Sequence, residues 1–167
     1  MKHRINQLVR LISLGAVCVW MGGCVCNKSE VHSQSSDNEV VEKITEAFAH
    51  PMGREDRLLT AMGLVDPRHL FLAVMEGEED GLDTVGVMLT KPGCHRWPLE
   101  ADSVLVLSFD EDGGLTGHER LVLGDGVRIK KVGDGDDGVH SLYELESNGR
   151  RRSFRRVFLA DFASDES

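Results

Sequence analysis

VHSLYELESNGRRRSFRRVFLA, residues Val139–Ala160, is the stretch on which the architecture of this chain turns. Asn148-Gly149 stands between two runs rich in alternating apolar and polar residues. A two-residue hairpin loop needs positive φ at both central positions, and Asn-Gly tolerates that readily. The loop sets a register in which Ser147 faces Arg150, Glu146 faces Arg151, Leu145 faces Arg152 and Tyr143 faces Phe154. Val139 and Phe158 extend the face that carries Tyr143 and Phe154, apolar enough to be a core side. Glu146 and Arg151 form an opposite-charge pair on the other face. A slip of one residue would turn the aromatic pair outward, so the pattern itself opposes the slip.

Working toward the amino terminus, the same punctuation repeats. VRIKKV (127–132) and the glycine-rich GDGDDG (133–138) precede this hairpin. LTGHERLVL (115–123) leads into VRIKKV through Asp125-Gly126, a second hairpin signal, and SVLVLSF (103–109) comes before the turn DEDGG. Five strands joined by tight turns make an antiparallel meander. HLFLAVME (69–76) has good helix brackets in Asp66-Pro67 and Gly77, yet a short, continuously apolar run also suits a buried strand. Strand is favoured, because Val85–Thr90 lies beyond the loop EGEEDGLD as its return partner.

Two helices are expected ahead of the strands. Ser36 and Glu39 form a capping box, Val40, Val41, Ile44, Ala47 and Phe48 share one face, and Pro51 stops the helix at about His50. A shorter helix covers Arg54–Met62, with Leu58, Leu59 and Met62 inward and Gly63 as its C-terminal cap. The expected class is therefore α+β, one or two short helices packed on an antiparallel meander of about five to seven strands.

The 167 residues suffice for one domain, and 41% hydrophobic with 28% charged residues is the balance of a folded one. Aromatics supply only 5%, so the core rests on Leu, Val, Met and Ala. A formal charge of -9 argues against nucleic acid as a partner, since phosphate binding needs a basic face.

Ahead of the helices stand Lys2, Arg4 and Arg10, then the uncharged LISLGAVCVWM (11–21), then Gly22, Gly23 and Cys24. A basic start, an apolar middle and a small-residue site make a secretory signal peptide. A spanning helix would want ~20 apolar residues, and Arg10 and Lys28 close this run too early. Met21-Gly22-Gly23-Cys24 resembles the lipobox of bacterial lipoproteins, with Met21 where lipoboxes prefer Leu. The resemblance covers roughly the first 26 residues. It implies cleavage between Gly23 and Cys24, a diacylglyceryl group on the Cys24 thiol, and often a further palmitate-type chain on the new amine. The bilayer would then be held through acylated Cys24, at ~0.8 kcal/mol per buried methylene. Val25 rather than Asp after that cysteine implies the outer membrane, facing the periplasm, in a cell with two membranes.

On this reading 1–23 is the signal peptide, 24–36 the lipidated cysteine with a polar tether, 37–162 the single α+β domain and 163–167 a disordered tail. Losing 1–23 leaves 16 basic against 28 acidic side chains, a formal charge of -12. Such a surface repels anionic headgroups, so lipid rather than electrostatics has to hold it. Cys26 and Cys94 remain as the mature thiols, a possible disulfide in an oxidising envelope.

Acidic DEDGG (110–114) and DGDDG (134–138) invite comparison with calcium loops. Position twelve is Leu121 from Asp110 and Leu145 from Asp134, where calcium loops carry Glu, so turn chemistry explains both better. Cys94-His95 are neighbours that point opposite ways in an extended chain and cannot form a nucleophile–base pair. No metal site, cofactor or catalytic constellation is expected. Arg150, Arg151, Arg152, Arg155 and Arg156 run against the acidic grain. They read either as cross-strand partners of Glu144 and Glu146 or as a patch for an anionic partner.

The two helices, the strands and the turn FDEDG are also similar in shape to small SmpA/OmlA-like lipoproteins of outer-membrane protein assembly, over about Glu39–Leu123. The leading expectation is thus an envelope lipoprotein, a non-enzymatic structural or protein-interaction module. The alternative is a binding module, whose curled sheet cups an apolar ligand or whose acidic face receives a basic envelope protein such as a lytic enzyme.

Overall fold

A computed structural model of the chain describes residues 33–94, 97 and 99–158, with backbone alone for 33–37. The leader, Gly23, Cys24, Cys26, most of the tether and the tail 163–167 lie outside the described residues. Two helices, α1 (Ser33–Ala47) and α2 (Arg54–Gly63), precede seven strands. These are β1 (Phe71–Glu79), β2 (Leu82–Thr90), β3 (Ala101–Phe109), β4 (Leu115–Val122), β5 (Val127–Asp134), β6 (Ser141–Ser147) and β7 (Arg150–Val157). All seven join one antiparallel sheet in the order β4-β3-β2-β1-β7-β6-β5. The expected helices-plus-meander is present, and 69–76 falls largely in a strand whose partner is β2.

The hairpin at Asn148-Gly149 has the register read from the sequence: Ser147 opposite Arg150, Glu146 opposite Arg151, Leu145 opposite Arg152, Tyr143 opposite Phe154. Asn148 and Gly149 take φ of 51° and 79°. The expected hairpin of β1 and β2 turns in the same two-residue form, which EGEEDGLD did not reveal, at Asp80-Gly81 with φ of 53° and 79°. Val139 does not extend the ladder to Phe158. The Asp137 carboxylate accepts the Val139 and His140 N–H groups at 2.9 Å, which bends the chain before β6 begins and leaves Val139 exposed.

Read as a circle, the strand order is sequential, and only the β4–β5 ladder is missing. The Asp125-Gly126 turn does form, closed by reciprocal Gly124–Val127 hydrogen bonds at 3.0 Å, but no ladder grows from it. Of the pair only Gly126 has positive φ. The cause is parity: a closed ring of antiparallel neighbours needs an even number of strands, and here there are seven. Strands at the first and seventh positions point the same way in the alternation. A short turn links them because neighbouring strands twist by about 20–25°, on the order of 120–150° over six steps.

This twist rolls the sheet and gives it two apolar faces. Under the helices lie Val74, Val85, Val87, Leu89, Leu105, Leu107 and Phe109, met by Ile44, Phe48, Leu58 and Ala61. Phe48 meets Phe109 edge-on at 5.2 Å. Inside the roll Met75, Met88, Val104 and Val106 meet Leu145 and Phe154, with Leu121 of β4 and Ile129 of β5 closing over them. Strands covered on both faces read as continuous apolar runs, which is why SVLVLSF does not alternate.

Several expectations about the helices are corrected. Ser36 lies inside α1, not at its cap. Val41 and Leu59 are exposed, while Arg57 and Ala61 are buried in their stead. Gly63 is the last residue of α2, and Leu64 caps it in right-handed conformation, so no left-handed glycine is needed.

Candidate functional site

A charge network lies where α2 meets the sheet. Gly53 is extended at the start of α2, and Glu55 and Asp56 occupy the first turn, where negative charge suits the helix dipole. Burial of Leu58 and Ala61 then turns Arg54 and Arg57, one turn apart, toward β1 and β2. Arg54 grips Glu76 with two bonds, Nε to Oε2 at 2.7 Å and Nη2 to Oε1 at 2.9 Å. Arg155 of β7 donates to the same carboxylate, Nε to Oε1 at 3.1 Å. Burial alone would raise the Glu76 carboxyl, but the two guanidinium groups outweigh it and hold it below the ordinary range.

Arg57 is 8% exposed, with its guanidinium 4.9 Å above the Phe109 ring and Nη2 donating to Asp83 at 3.0 Å. Its Nε and Nη1 have no partner, a desolvation cost that the ring contact offsets in part. These side chains line a cavity of about 360 Å³ together with Gly77, Thr84 and Val85. Three arginines there face Glu76, Glu78 and Asp83, so the cavity is balanced in charge. The arrangement bolts a helix to three strands. Sequence reasoning missed it, because the spacing that puts Leu58, Leu59 and Met62 inward leaves Arg57 outside the stripe.

The arginine strand is also accounted for. Arg150 reaches Glu79 at 3.0 Å and Asp80 at 3.1 Å. Arg152, buried, donates Nε to Glu79 at 2.6 Å, and its Nη1 forms an ion pair with Glu119 of β4 without hydrogen-bond geometry. Arg156 donates to the Leu72 carbonyl at 3.2 Å and stacks 5.0 Å from the Phe158 ring. Arg151 is exposed opposite Glu146. The carboxylates that Arg150 and Arg152 reach come from β1, the turn after it and β4, whereas Glu144, an expected partner, is held by Lys130 at 3.0 Å and lies near enough to Arg151 to feel its charge. Opposite charges therefore meet between neighbouring strands and across the roll as well as within the β6–β7 hairpin, where Glu146 faces Arg151.

The acidic turns serve themselves. Asp110 Oδ1 accepts the Gly114 N–H at 2.7 Å. Asp137 accepts two backbone N–H groups and lies 2.5 Å from His140 Nδ1, contacts that hold its carboxyl well below the usual range. Among the described residues no group of three His, Cys, Asp or Glu side chains is placed to hold a metal ion. Cys94 is a half-buried free thiol in the turn closed by its N–H to Lys91, and Cys26, its expected partner, lies outside the described residues. His69 is buried. Its Nδ1 must carry the proton, because it lies 2.7 Å from the Thr90 carbonyl, and Nε2 accepts from Arg120 at 3.3 Å. Arg120 also reaches Ser103, tying β4 to its neighbours.

Among the described residues no helix is long and apolar enough to cross a membrane. No protein-family model matches the sequence, and no curated protein or solved structure is significantly similar to it.

Proposed function

We propose that this chain is a lipid-anchored protein of the bacterial cell envelope, fastened through Cys24, whose body is a non-enzymatic structural or protein-interaction module. The observation that carries the reading is the leader: a basic start, the apolar 11–21 and Met21-Gly22-Gly23-Cys24. The rolled sheet agrees with a contact module. Its clustered charges pair with one another, and its interior is occupied by Met75, Val104, Leu145 and Phe154. The same packing removes the support for a cup that holds an apolar ligand within the roll.

A basic envelope partner keeps a specific observation in its favour. The Met52 N–H donates to the Gly113 carbonyl at 3.1 Å, which brings the interhelix linker against the β3–β4 turn. That contact brings the acidic first turn of α2, with Glu55 and Asp56, near the turn that holds Glu111 and Asp112.

Mass spectrometry of the mature amino terminus tests the anchor. The expected product begins at Cys24 and carries diacylglycerol. Cys24→Ser should leave an unprocessed chain that no longer partitions into detergent, and unchanged size and partitioning would end the reading. Crosslinking in the envelope fraction then tests for the protein partner.

A further inference from the structure

Several of the exposed apolar side chains lie at one end of the sheet, while Val41 and Leu59 are exposed on the helices. The pairs Phe71–Leu89, Ser103–Val122 and Val74–Val157 place the starts of β1 and β3 beside the ends of β2, β4 and β7. At this end Leu70 is 37% exposed, Phe71 44%, Val122 61% and Trp97, in the β2–β3 connection, 87%. The Gly93 N–H donates to the Arg68 carbonyl at 2.6 Å, tying that connection to the turn before β1. Beside Phe71 a groove of about 210 Å³ runs between Met62, Leu72, Val157 and Phe158, with Arg156 at its edge. Exposed tryptophan, phenylalanine and leucine in one neighbourhood mark a contact surface.

The direction of α1 says what that surface meets. Glu39, near the start of α1, is close enough to Arg68 to act on its charge, whereas Phe48, at the other end, packs on Phe109 at the far end of β3. The chain therefore enters the body at the apolar end. Cys24 precedes the first residue of α1 by about nine peptide units, which reach ~30 Å fully extended and about half that as a coil. The opposite end carries the turns with Glu78, Glu79 and Asp80 and with Asp110, Glu111 and Asp112.

We propose that the end bearing Leu70, Phe71, Trp97 and Val122 rests on the bilayer to which Cys24 is fastened, with Trp97 and Phe71 at the level of the headgroups. The inference rests on the anchor reading above. Aromatic side chains favour the membrane–water interface, where the ring is shielded and the indole N–H stays hydrated. The lipid keeps the domain at the surface, and the apolar end sets which way it faces.

The sequence supplies its own probe, because of two tryptophans Trp20 leaves with the leader and Trp97 remains. The lipidated chain, reconstituted in vesicles of phosphatidylethanolamine and phosphatidylglycerol, should show blue-shifted emission that brominated acyl chains quench. Phe71→Glu should reduce the quenching while the chain stays bound to the vesicles and its circular dichroism is unchanged. A vesicle-bound chain whose emission ignores brominated lipid overturns the orientation and leaves the anchor standing. A mature chain from the envelope fraction that proves to carry no lipid and does not float with vesicles overturns both. A photocrosslinker at position 97 that captures a protein in the native envelope, and not lipid, assigns the surface to a protein partner and overturns the proposal.

Discussion

Replacing Arg152 by alanine tests whether the sheet is truly rolled, because this side chain joins strands that a flat sheet would hold four places apart. Arg152 is 10% exposed and Glu79 16%, so most of their interaction is screened little by water. Breaking a buried ion pair costs about 3–5 kcal/mol, since the remaining charge stays behind without its partner. Two features reduce that figure here. Glu79 keeps Arg150 at 3.0 Å, and Glu119, 41% exposed, can turn to solvent. A loss of about 2–3 kcal/mol is expected, most of it from the Glu79 contact and from packing of the arginine stem. Urea unfolding should show it as a midpoint lowered by about 1–2 M. Arg152→Met keeps the stem and should lose about half as much. Glu119→Gln removes a half-exposed partner and should cost about 0.5 kcal/mol or less. The cycle combining Arg152→Ala and Glu119→Gln should give a coupling of about 0.5 kcal/mol. Additive losses in the cycle would refute the contact across the roll, and an Arg152→Ala variant within about 0.5 kcal/mol of the parent would refute the buried Arg152–Glu79 pair.

Gly77→Ala places a methyl carbon 2.3 Å from the Ser153 carbonyl and 3.0 Å from the Phe154 ring. It should cost about 1–3 kcal/mol by denaturant titration. At the interface of helix and sheet, Leu58→Ala should cost about 2–5 kcal/mol and Leu59→Ala about 0.5 or less, a contrast that thermal unfolding will show. The depressed Glu76 carboxyl contributes stability that is present above its unfolded value near 4.5 and lost as pH falls through its lower folded one. Glu76→Gln should therefore be less stable than the parent at neutral pH and should flatten the acid limb of a stability-against-pH curve below about pH 4.5.

How much of this was legible follows from what each feature depends on. The Asn148-Gly149 hairpin is local, its turn and alternation agree, and its register stands as read. Asp80-Gly81 carried an equal signal, masked by the acidic run Glu78–Asp80, which reads as loop until its partner strand is known. The Asp125-Gly126 turn was legible but its missing ladder was not, because parity is a property of all seven strands and no single hairpin contains it. Arg57 and Leu59 exchanged roles because helical spacing gives a stripe and not its center. The ion pairs of Glu76, Glu79 and Glu119 join residues distant in sequence, so their partners appear only with the pairing of β1 to β7 and the roll that follows.

That single ladder between β1 and β7 also sets the order of events as the chain folds. β1–β4 and β5–β7 are two local meanders, each closed by short turns. Glu76 and Arg155, which face each other across their junction, stand 79 positions apart. Bringing such distant segments together costs about 4 kcal/mol of loop entropy before the contact returns anything. Docking of the two meanders is thus the slow step, with Met75, Val104 and Val106 uncovered until β7 arrives. Since β7 follows the other six strands in the chain, a nascent chain holds the first meander unfinished until residues 150–157 emerge. Slowing the release of those residues should lengthen the time for which the nascent chain needs a chaperone.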